Sequence, residues 1–367
     1  MNLLELNRAV IRREANGKTI WQPRIGCYLD DRRHDNRPLD PGYEGCNEIT
    51  LYEKLGCSDR LYVFNNCLKV TFDESVRVER IVHDPLTEEI IYHTPVGKVN
   101  MILKGNTSNY GKMPEKWFVE NAQDMRVMGY VEENTNFSFD YEEYKRLYAE
   151  RSHLGLPAMF LPRTNIQRLY LDICGVENAI YALEDYPDEV EAYFEILERS
   201  QARMLDVVAD SPIEWINYGD NLHNALLSPK LFKKYLLPAY QRRNERLHRA
   251  GKFTFSHWDG DCGLLLPYAH ETGLDGIEAI TPKPQGDVTV DEIKKALGND
   301  MFLIDGVAAI LFNEYFPEER LIKQTEEVLN KFEGQLVLGI SDELPSDGKL
   351  SRVERVRDMV EDFNAKH

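Results

Sequence analysis

The stretch Ile213-Glu214-Trp215-Ile216-Asn217-Tyr218-Gly219-Asp220-Asn221 decides the fold. A short, largely apolar run ends abruptly in amides, a glycine and an acid. The same form recurs along the chain, in Phe253-Thr254-Phe255-Ser256-His257, Gly276-Ile277-Glu278-Ala279-Ile280, Met301-Phe302-Leu303-Ile304-Asp305 and Leu336-Val337-Leu338-Gly339-Ile340. Ala158-Met159-Phe160-Leu161 precedes them. Their length and their β-branched and aromatic content fit strands buried on both faces, as in a parallel sheet.

Helix signals fill the gaps. Asp185 is expected to cap a helix with Pro187 in its first turn, and Val190, Tyr193, Phe194, Leu197, Met204, Leu205 and Val208 recur at helical spacing. Ser228-Pro229 opens another helix. Thr289-Val290-Asp291-Glu292 reads as a capping box, with Gly298 just past the helix end. Pro317 starts a further helix, and Ser351-Arg352-Val353-Glu354 reads as a second capping box. Strands alternating with helices make βαβ units. Several in a row, over 367 residues, predict an α/β protein, one (β/α)8 TIM barrel spanning 1–367.

The first half is less regular. Ile20 to Gly26 reads as the first barrel strand. Leu68 to Gly105 alternates apolar and polar residues and predicts a β-hairpin or small antiparallel sheet inserted at about 68–105. Tyr110 to Asn136 shows no assignable period.

Charge narrows the function. The net charge of −18 argues against binding nucleic acid or an anionic membrane through a general basic patch. Arg24 and the Asp31-Arg32-Arg33 run supply a local basic pocket at most. No apolar run approaches the roughly 18 residues of a membrane span. The charged start, MNLLELNRAVIRREANGK, lacks a signal-peptide pattern, so a cytoplasmic location is expected. The six cysteines form no CxxC pair and are expected to be reduced.

In a barrel the catalytic groups come from the carboxyl ends of several strands. Those ends carry Asn217, Tyr218 and Asp220; His257 and Asp259; Glu278; Asp305; and Asp342 with Glu343. His257 and Asp259, two apart, share a face if the strand runs through both. With Glu278 from a neighbouring strand they form a candidate Zn²⁺ site. The plainer reading has Asp259 orienting His257 or capping the next helix. Asp220, His257 and Asn217 are the candidate catalytic groups. Asp220 otherwise bonds its own loop. Arg24, Tyr218, Asp305 and Asp342 are candidates to bind substrate, Arg24 and Arg33 by pairing an anionic group. Those arginines equally serve to neutralise surplus carboxylates. Glu278 points either into the barrel or outward into a helix–strand salt bridge, and Cys262 reads as a packed thiol. There is no Walker A, GxGxxG, GxSxG or HExxH pattern.

Several strings then resemble one known group. Asp220-Asn221, Leu227-Ser228-Pro229-Lys230-Leu231-Phe232, Leu237-Pro238-Ala239-Tyr240, Gly251-Lys252 leading into His257, Leu274-Asp275-Gly276-Ile277-Glu278 and Leu338-Gly339-Ile340-Ser341 are similar to the core of the uroporphyrinogen decarboxylase superfamily. Trp21-Gln22-Pro23-Arg24 with Tyr28-Leu29 resembles its arginine-bearing first strand. The resemblance implies a (β/α)8 barrel and is compatible with a homodimer.

Two activities compete within that superfamily. The decarboxylases hold a polycarboxylate tetrapyrrole with arginines and one key aspartate, and no equivalent of that aspartate is evident here. The corrinoid-dependent methyltransferases hold Zn²⁺ through an H-x-C pair and a late cysteine. His257 matches their histidine, while Asp259 stands for the cysteine and Ile340-Ser341-Asp342 lacks the late one. An oxygen- and nitrogen-rich site is a harder Lewis acid, suited to an ether or alcohol oxygen. The resemblance therefore implies methyl transfer from a small, methoxylated donor to the cobalamin of a partner corrinoid protein. A decarboxylase is the alternative. A barrel that only binds a corrinoid or tetrapyrrole is the third reading.

Overall fold

Seven parallel strands make one sheet. They are β1 (Ile20–Trp21), β2 (Ala158–Leu161), β3 (Trp215–Leu222), β4 (Phe253–Trp258), β5 (Gly276–Glu278), β6 (Phe302–Ala308) and β7 (Leu336–Ser341). Their order is β1-β7-β6-β5-β4-β3-β2, and every neighbouring pair is parallel. The computed structural model describes residues 2–106 and 109–367. The chain divides into two compact units, and this sheet lies in the unit formed by Met1–Asn66, Tyr141–Leu161 and Pro212–His367.

The α/β class and the parallel sheet match the expectation, but an eighth strand does not form a ladder. β1 and β2 are the edges. The chain from Ser58 to Leu61 makes only single links. Ser58 N–H donates to the Trp21 carbonyl at 2.9 Å and Asp59 N–H to the Leu154 carbonyl at 2.9 Å, and Leu61 forms an isolated parallel bridge with Pro157. Pro157 has no N–H to give, which stops a ladder from growing there. The first strand is also shorter than the expected Ile20–Gly26: it ends at Trp21, Pro23 has no N–H to continue the ladder, and a helix, Gly26–His34, begins at Gly26.

One end of the sheet is closed by the N-terminal helix Leu3–Ile11. Its Val10 and Ile11 share a buried cluster with Ile20, Ala158, Trp215, Phe255, Phe302 and Val337. Most of these open their strands. Burying a Val or Ile side chain contributes about 1.5–3 kcal/mol. Arg8 and Arg12 fasten the helix to Glu214 at 2.9 and 2.6 Å. The amino ends are covered by this helix, which leaves the carboxyl ends as the open face where barrel-type sites form.

The helix signals hold with two exceptions. Thr289 and Glu292 form the reciprocal capping box of Val290–Leu297, and Ser228 accepts from Leu231 N–H ahead of Pro229. Asp185, however, ends the helix Val176–Asp185. Pro187 occupies the first turn of Pro187–Asp210 without a side-chain cap, since proline has no N–H to satisfy. The last helix starts at Leu350, so Ser351 falls inside its first turn.

The second unit comprises Cys67–Asp140 and Pro162–Ser211. Leu68–Phe72 pairs antiparallel with Thr135–Phe139. Arg77–Asp84, Thr87–Thr94, Gly97–Asn106 and Asn109–Lys116 form a four-stranded antiparallel meander. The antiparallel sheet is thus larger than the expected 68–105 insert. Within the unassigned Tyr110–Asn136 stretch lies the helix Ala122–Glu133, capped by Asn121, which accepts from Gln123 and Asp124 N–H groups. No helix among the described residues is long and apolar enough to cross a membrane.

Candidate functional site

Glu278 is the hub of the carboxyl end. It closes β5 beside its register partner His257 on β4, and only 1% of it is exposed. Four side chains converge on its carboxylate. Arg60 bonds Oε1, and Tyr62 OH donates to Oε1 at 2.9 Å. Asn217 Nδ2 donates to Oε2 at 2.7 Å, and His257 Nδ1 lies 2.8 Å from the same oxygen. Asn217 Nδ2 also reaches Tyr62 OH at 2.6 Å.

Arg60 ties a second carboxylate into the network. Its Nη2 donates to Asp305 Oδ1 at 2.7 Å and its Nε to Gln22 Oε1 at 2.9 Å. Asp305 sits in β6 with φ of 82°, a conformation that costs a non-glycine residue roughly 1–3 kcal/mol. Gly339, its neighbour on β7, leaves the space Asp305 uses. A Cβ there would collide with Asp305 Oδ1 and lie 3.0 Å from the Gln22 carbonyl.

Burial and pairing set the charge states. Burial pushes Glu278 upward, yet Arg60 and then the His257 hydrogen bond overcome it and hold the carboxyl well below its ordinary range. Glu278 is therefore ionised and accepts from every partner, so His257 Nδ1 carries the hydrogen of that bond. Burial raises Asp305 to about 6 despite Arg60. Burial lowers His257, but the bond to Glu278 and its charge more than offset this, and the net shift is upward.

His257 Nε2 is directed outward. It lies 3.9 Å from Asp342 Oδ1. His257, Asp259 and Asp342 each offer one ligand atom, all within 4.8 Å of one another. Asp259 Oδ1 accepts from Gly260 N–H at 2.6 Å. Arg24 pairs with Asp342 and, at 2.8 Å, with Glu343. One imidazole and two carboxylates suit Zn²⁺ or a harder divalent cation. A carboxylate on the far ring nitrogen is the usual support of a metal-bound histidine. The donor set fits a metal, with Arg24 as the cation that shares Asp342.

The expected residues divide into three groups. Asn217, His257, Glu278 and Asp305 meet in the buried network. Asp259, Asp342 and Arg24 gather outside it. Glu278 leaves the expected His257–Asp259–Glu278 metal set because its oxygens are already taken, and Asp342 stands in its stead. Tyr218 and Asp220 turn to the helix layer. Tyr218 OH donates to Asn244 on the helix Leu237–Arg249 at 2.8 Å, and Tyr240 of that helix donates to Asp220 at 2.7 Å. The register slips between Ser256 and His257, so Gly219 and Asp220 form a bulge on β3. Arg33 is exposed and pairs with Asp30. Cys262 is packed, its Sγ 3.2 Å from the Asp259 carbonyl.

Arg60, Tyr62 and Gln22 were not among the expected residues. Arg60 lies in Ser58–Leu61, which has no strand periodicity. The available signal was a charged pair, Asp59-Arg60, running directly into the apolar Leu61-Tyr62-Val63-Phe64.

Comparison with known proteins bears on this arrangement. Residues 169–363, more than half of the chain, match the family model described as uroporphyrinogen decarboxylase. Among solved structures, a methyltransferase from Methanosarcina mazei is similar with 13% identity and a TM-score of 0.51, over 71% of this chain and 75% of that one. A GH18 chitinase, ChiB, of Flavobacterium johnsoniae is similar with 12% identity and a TM-score of 0.38, over 63% and 83%. At 13% identity the likeness to the methyltransferase is one of fold. No curated protein sequence matches.

Proposed function

The chain belongs to the uroporphyrinogen decarboxylase family, and from that premise we propose that it is a methyltransferase, moving a methyl group from a small methoxylated donor to the cobalamin of a corrinoid protein with Zn²⁺ assistance. The observation that carries this reading is the orientation of His257. Its Nδ1 is held by Glu278 at 2.8 Å, its Nε2 lies 3.9 Å from Asp342 Oδ1, and one ligand atom each of His257, Asp259 and Asp342 lie within 4.8 Å of one another.

Bound to His257, Asp259 and Asp342, zinc would supply a Lewis acid for an ether or alcohol oxygen of the donor. The protein's part is to keep the ligands ready. Glu278 accepts the hydrogen bond from Nδ1–H, so the neutral imidazole keeps its lone pair on Nε2. Arg60 keeps Glu278 ionised, and Tyr62 and Asn217 fix the orientation of its carboxylate. Arg24 steadies Asp342 and balances the acidic mouth. Ser58–Leu61, between β1 and β2, takes the place of an eighth strand in this reading and completes the barrel. The corrinoid protein acts as the second substrate, docking over the carboxyl ends.

The decarboxylase reading needs free arginines for substrate carboxylates. Of the two arginines that reading calls on, Arg24 is already bound by Asp342 and Glu343 and Arg33 is exposed and paired with Asp30, while Arg60 is bound by Glu278 and Asp305, which favours the methyltransferase.

The test is the metal content of the purified protein dialysed against zinc, for wild type and His257→Ala. About one zinc per chain, lost in the variant, is the expected result. Methyl transfer from methoxylated donors to cob(I)alamin, followed by its absorbance change, then completes the assignment. Metal-free wild-type protein would sink the mechanism.

A further inference from the structure

Asn217 carries an unexplained acceptor. Its amide nitrogen must face Glu278 and Tyr62, because an ionised carboxylate takes only a donor. That fixes its Oδ1 on the other side, where no hydrogen-bond partner is present among the described residues. Only 3% of Asn217 is exposed. A buried, unpaired carbonyl costs about 1–3 kcal/mol, and such a group calls for an explanation.

The residue opposite Asn217 on β2 is Phe160. Paired residues of adjacent strands share a face, so Phe160 stands beside Asn217. It is 47% exposed in the middle of an otherwise buried strand. A lone exposed phenylalanine is unremarkable, but this one is supported. Tyr62 meets its ring edge-on, with centroids 5.4 Å apart. Asn65 Oδ1 accepts its backbone N–H at 2.9 Å. Gly219 gives the ring room, since a Cβ there would lie 3.3 Å from Phe160 Cδ2. Tyr62 thus braces Phe160 with its ring and bonds Asn217 through its hydroxyl.

We infer that Phe160 and Asn217 form the substrate-recognition element of this site. Phe160 takes a flat apolar group, and Asn217 Oδ1 accepts a hydrogen bond from an O–H or N–H of the same molecule. The inference deepens the reading of this end of the sheet as the active site and rests on it. The substrate class is a small molecule with a planar apolar body and a neutral donor group. A substrate offering only acceptors on that side would leave Oδ1 unpaired and bind less well.

Phenol and fluorobenzene, nearly equal in size, differ in the donor. Their binding to the full-length protein is measured by ligand-observed NMR titration, for wild type, Phe160→Leu and Asn217→Ser. Wild type is expected to prefer phenol by about tenfold, the worth of one hydrogen bond. Asn217→Ser should lose the preference, and Phe160→Leu should weaken both probes alike. Equal binding of the two probes to wild type overturns the inference, as does a preference that survives in Asn217→Ser. So does the absence of any binding, or a Phe160→Leu protein that binds as wild type does. If Asn217→Ser fails to fold, the wild-type preference and Phe160→Leu still decide. Neither probe has a methyl group to donate. Phenol binding by a protein that takes up no zinc would therefore sink the methyl-transfer reading and leave this one standing.

Discussion

Replacing Arg60 by methionine tests whether the buried network is an electrostatic unit. Methionine keeps much of the arginine stem's volume, so the change removes mainly the charge. Arg60 and both its carboxylate partners are almost fully enclosed, with side-chain exposures of 2%, 1% and 0%. Removing one member of a buried ion pair costs about 3–5 kcal/mol. Two carboxylates lose their partner here, so about 4 kcal/mol is expected at pH 7.5. For a sheet-containing unit of about 240 residues, that corresponds to roughly 8 °C in Tm. The loss should depend on pH. Asp305 is already raised from 3.8 to about 6 by burial, against the pull of Arg60. Between those values the native state binds more protons than the unfolded chain, so this group's contribution to stability falls as pH rises. Without Arg60 the Asp305 carboxyl moves higher still and the window extends upward. The variant's deficit should therefore shrink between pH 7.5 and pH 5.5, and Asp305→Asn in the Arg60→Met background should recover part of it. Urea unfolding at the two pH values is the assay. A deficit that is small at pH 7.5, or the same at both, would refute the electrostatic account.

Two further outcomes follow from the same geometry. Glu278→Gln keeps the shape but removes the charge that supports His257, and zinc affinity measured by competition with a chelator should fall 10–100-fold, the usual effect of losing such a partner. Gly339→Ala should cost about 1–3 kcal/mol by overpacking, because its Cβ meets Asp305 Oδ1. That cost should be smaller in an Asp305→Ala background when both are measured by urea unfolding, the remainder being the Gln22 carbonyl 3.0 Å from the new Cβ, since contacting residues are not additive.

What was legible in the chain was whatever has a period or a cap. The parallel strands from Trp215 to Ser341 declare themselves by apolar runs, and Thr289 with Glu292 by its capping box. His257 and Asp259 stood out as polar residues at a strand's end. The failures share a cause, namely interactions that have no local pattern. Arg60 is held by Glu278 and Asp305, residues more than two hundred positions away, in a segment that forms no ladder. Asp220 looked like a mouth residue because it follows an apolar strand, but the bulge at Gly219-Asp220 turns it to Tyr240. Gly219 is a local sign of a bulge, but where the bulge sends Asp220 is set by tertiary packing. Asn109–Lys116 carries no strand period, because Gly111 and Pro114 break the alternation a strand would show.

The division of labour between Glu278 and Asp342 explains how so acidic a mouth is held together. Asp259, Glu278, Asp305, Asp342 and Glu343 all lie in or beside the network, against the guanidinium groups of Arg24 and Arg60. Arg60 is spent on the inner two carboxylates, where burial leaves no alternative. Glu278 is further satisfied by Tyr62, Asn217 and His257, so it can stay ionised without a metal. The outer carboxylates have Arg24, which pairs with Asp342 and Glu343 while its charge also acts on Glu278, and Glu343 further accepts the Cys27 N–H at 3.2 Å. Asp259 relies on the backbone N–H of Gly260. The surplus negative charge therefore collects where His257 Nε2 points, on the side away from the buried arginine. A divalent cation bound there would meet a neutral imidazole and two carboxylates and would offset charge that the protein's own side chains leave uncompensated. The inner network fixes the ligand, and the outer one attracts the ion.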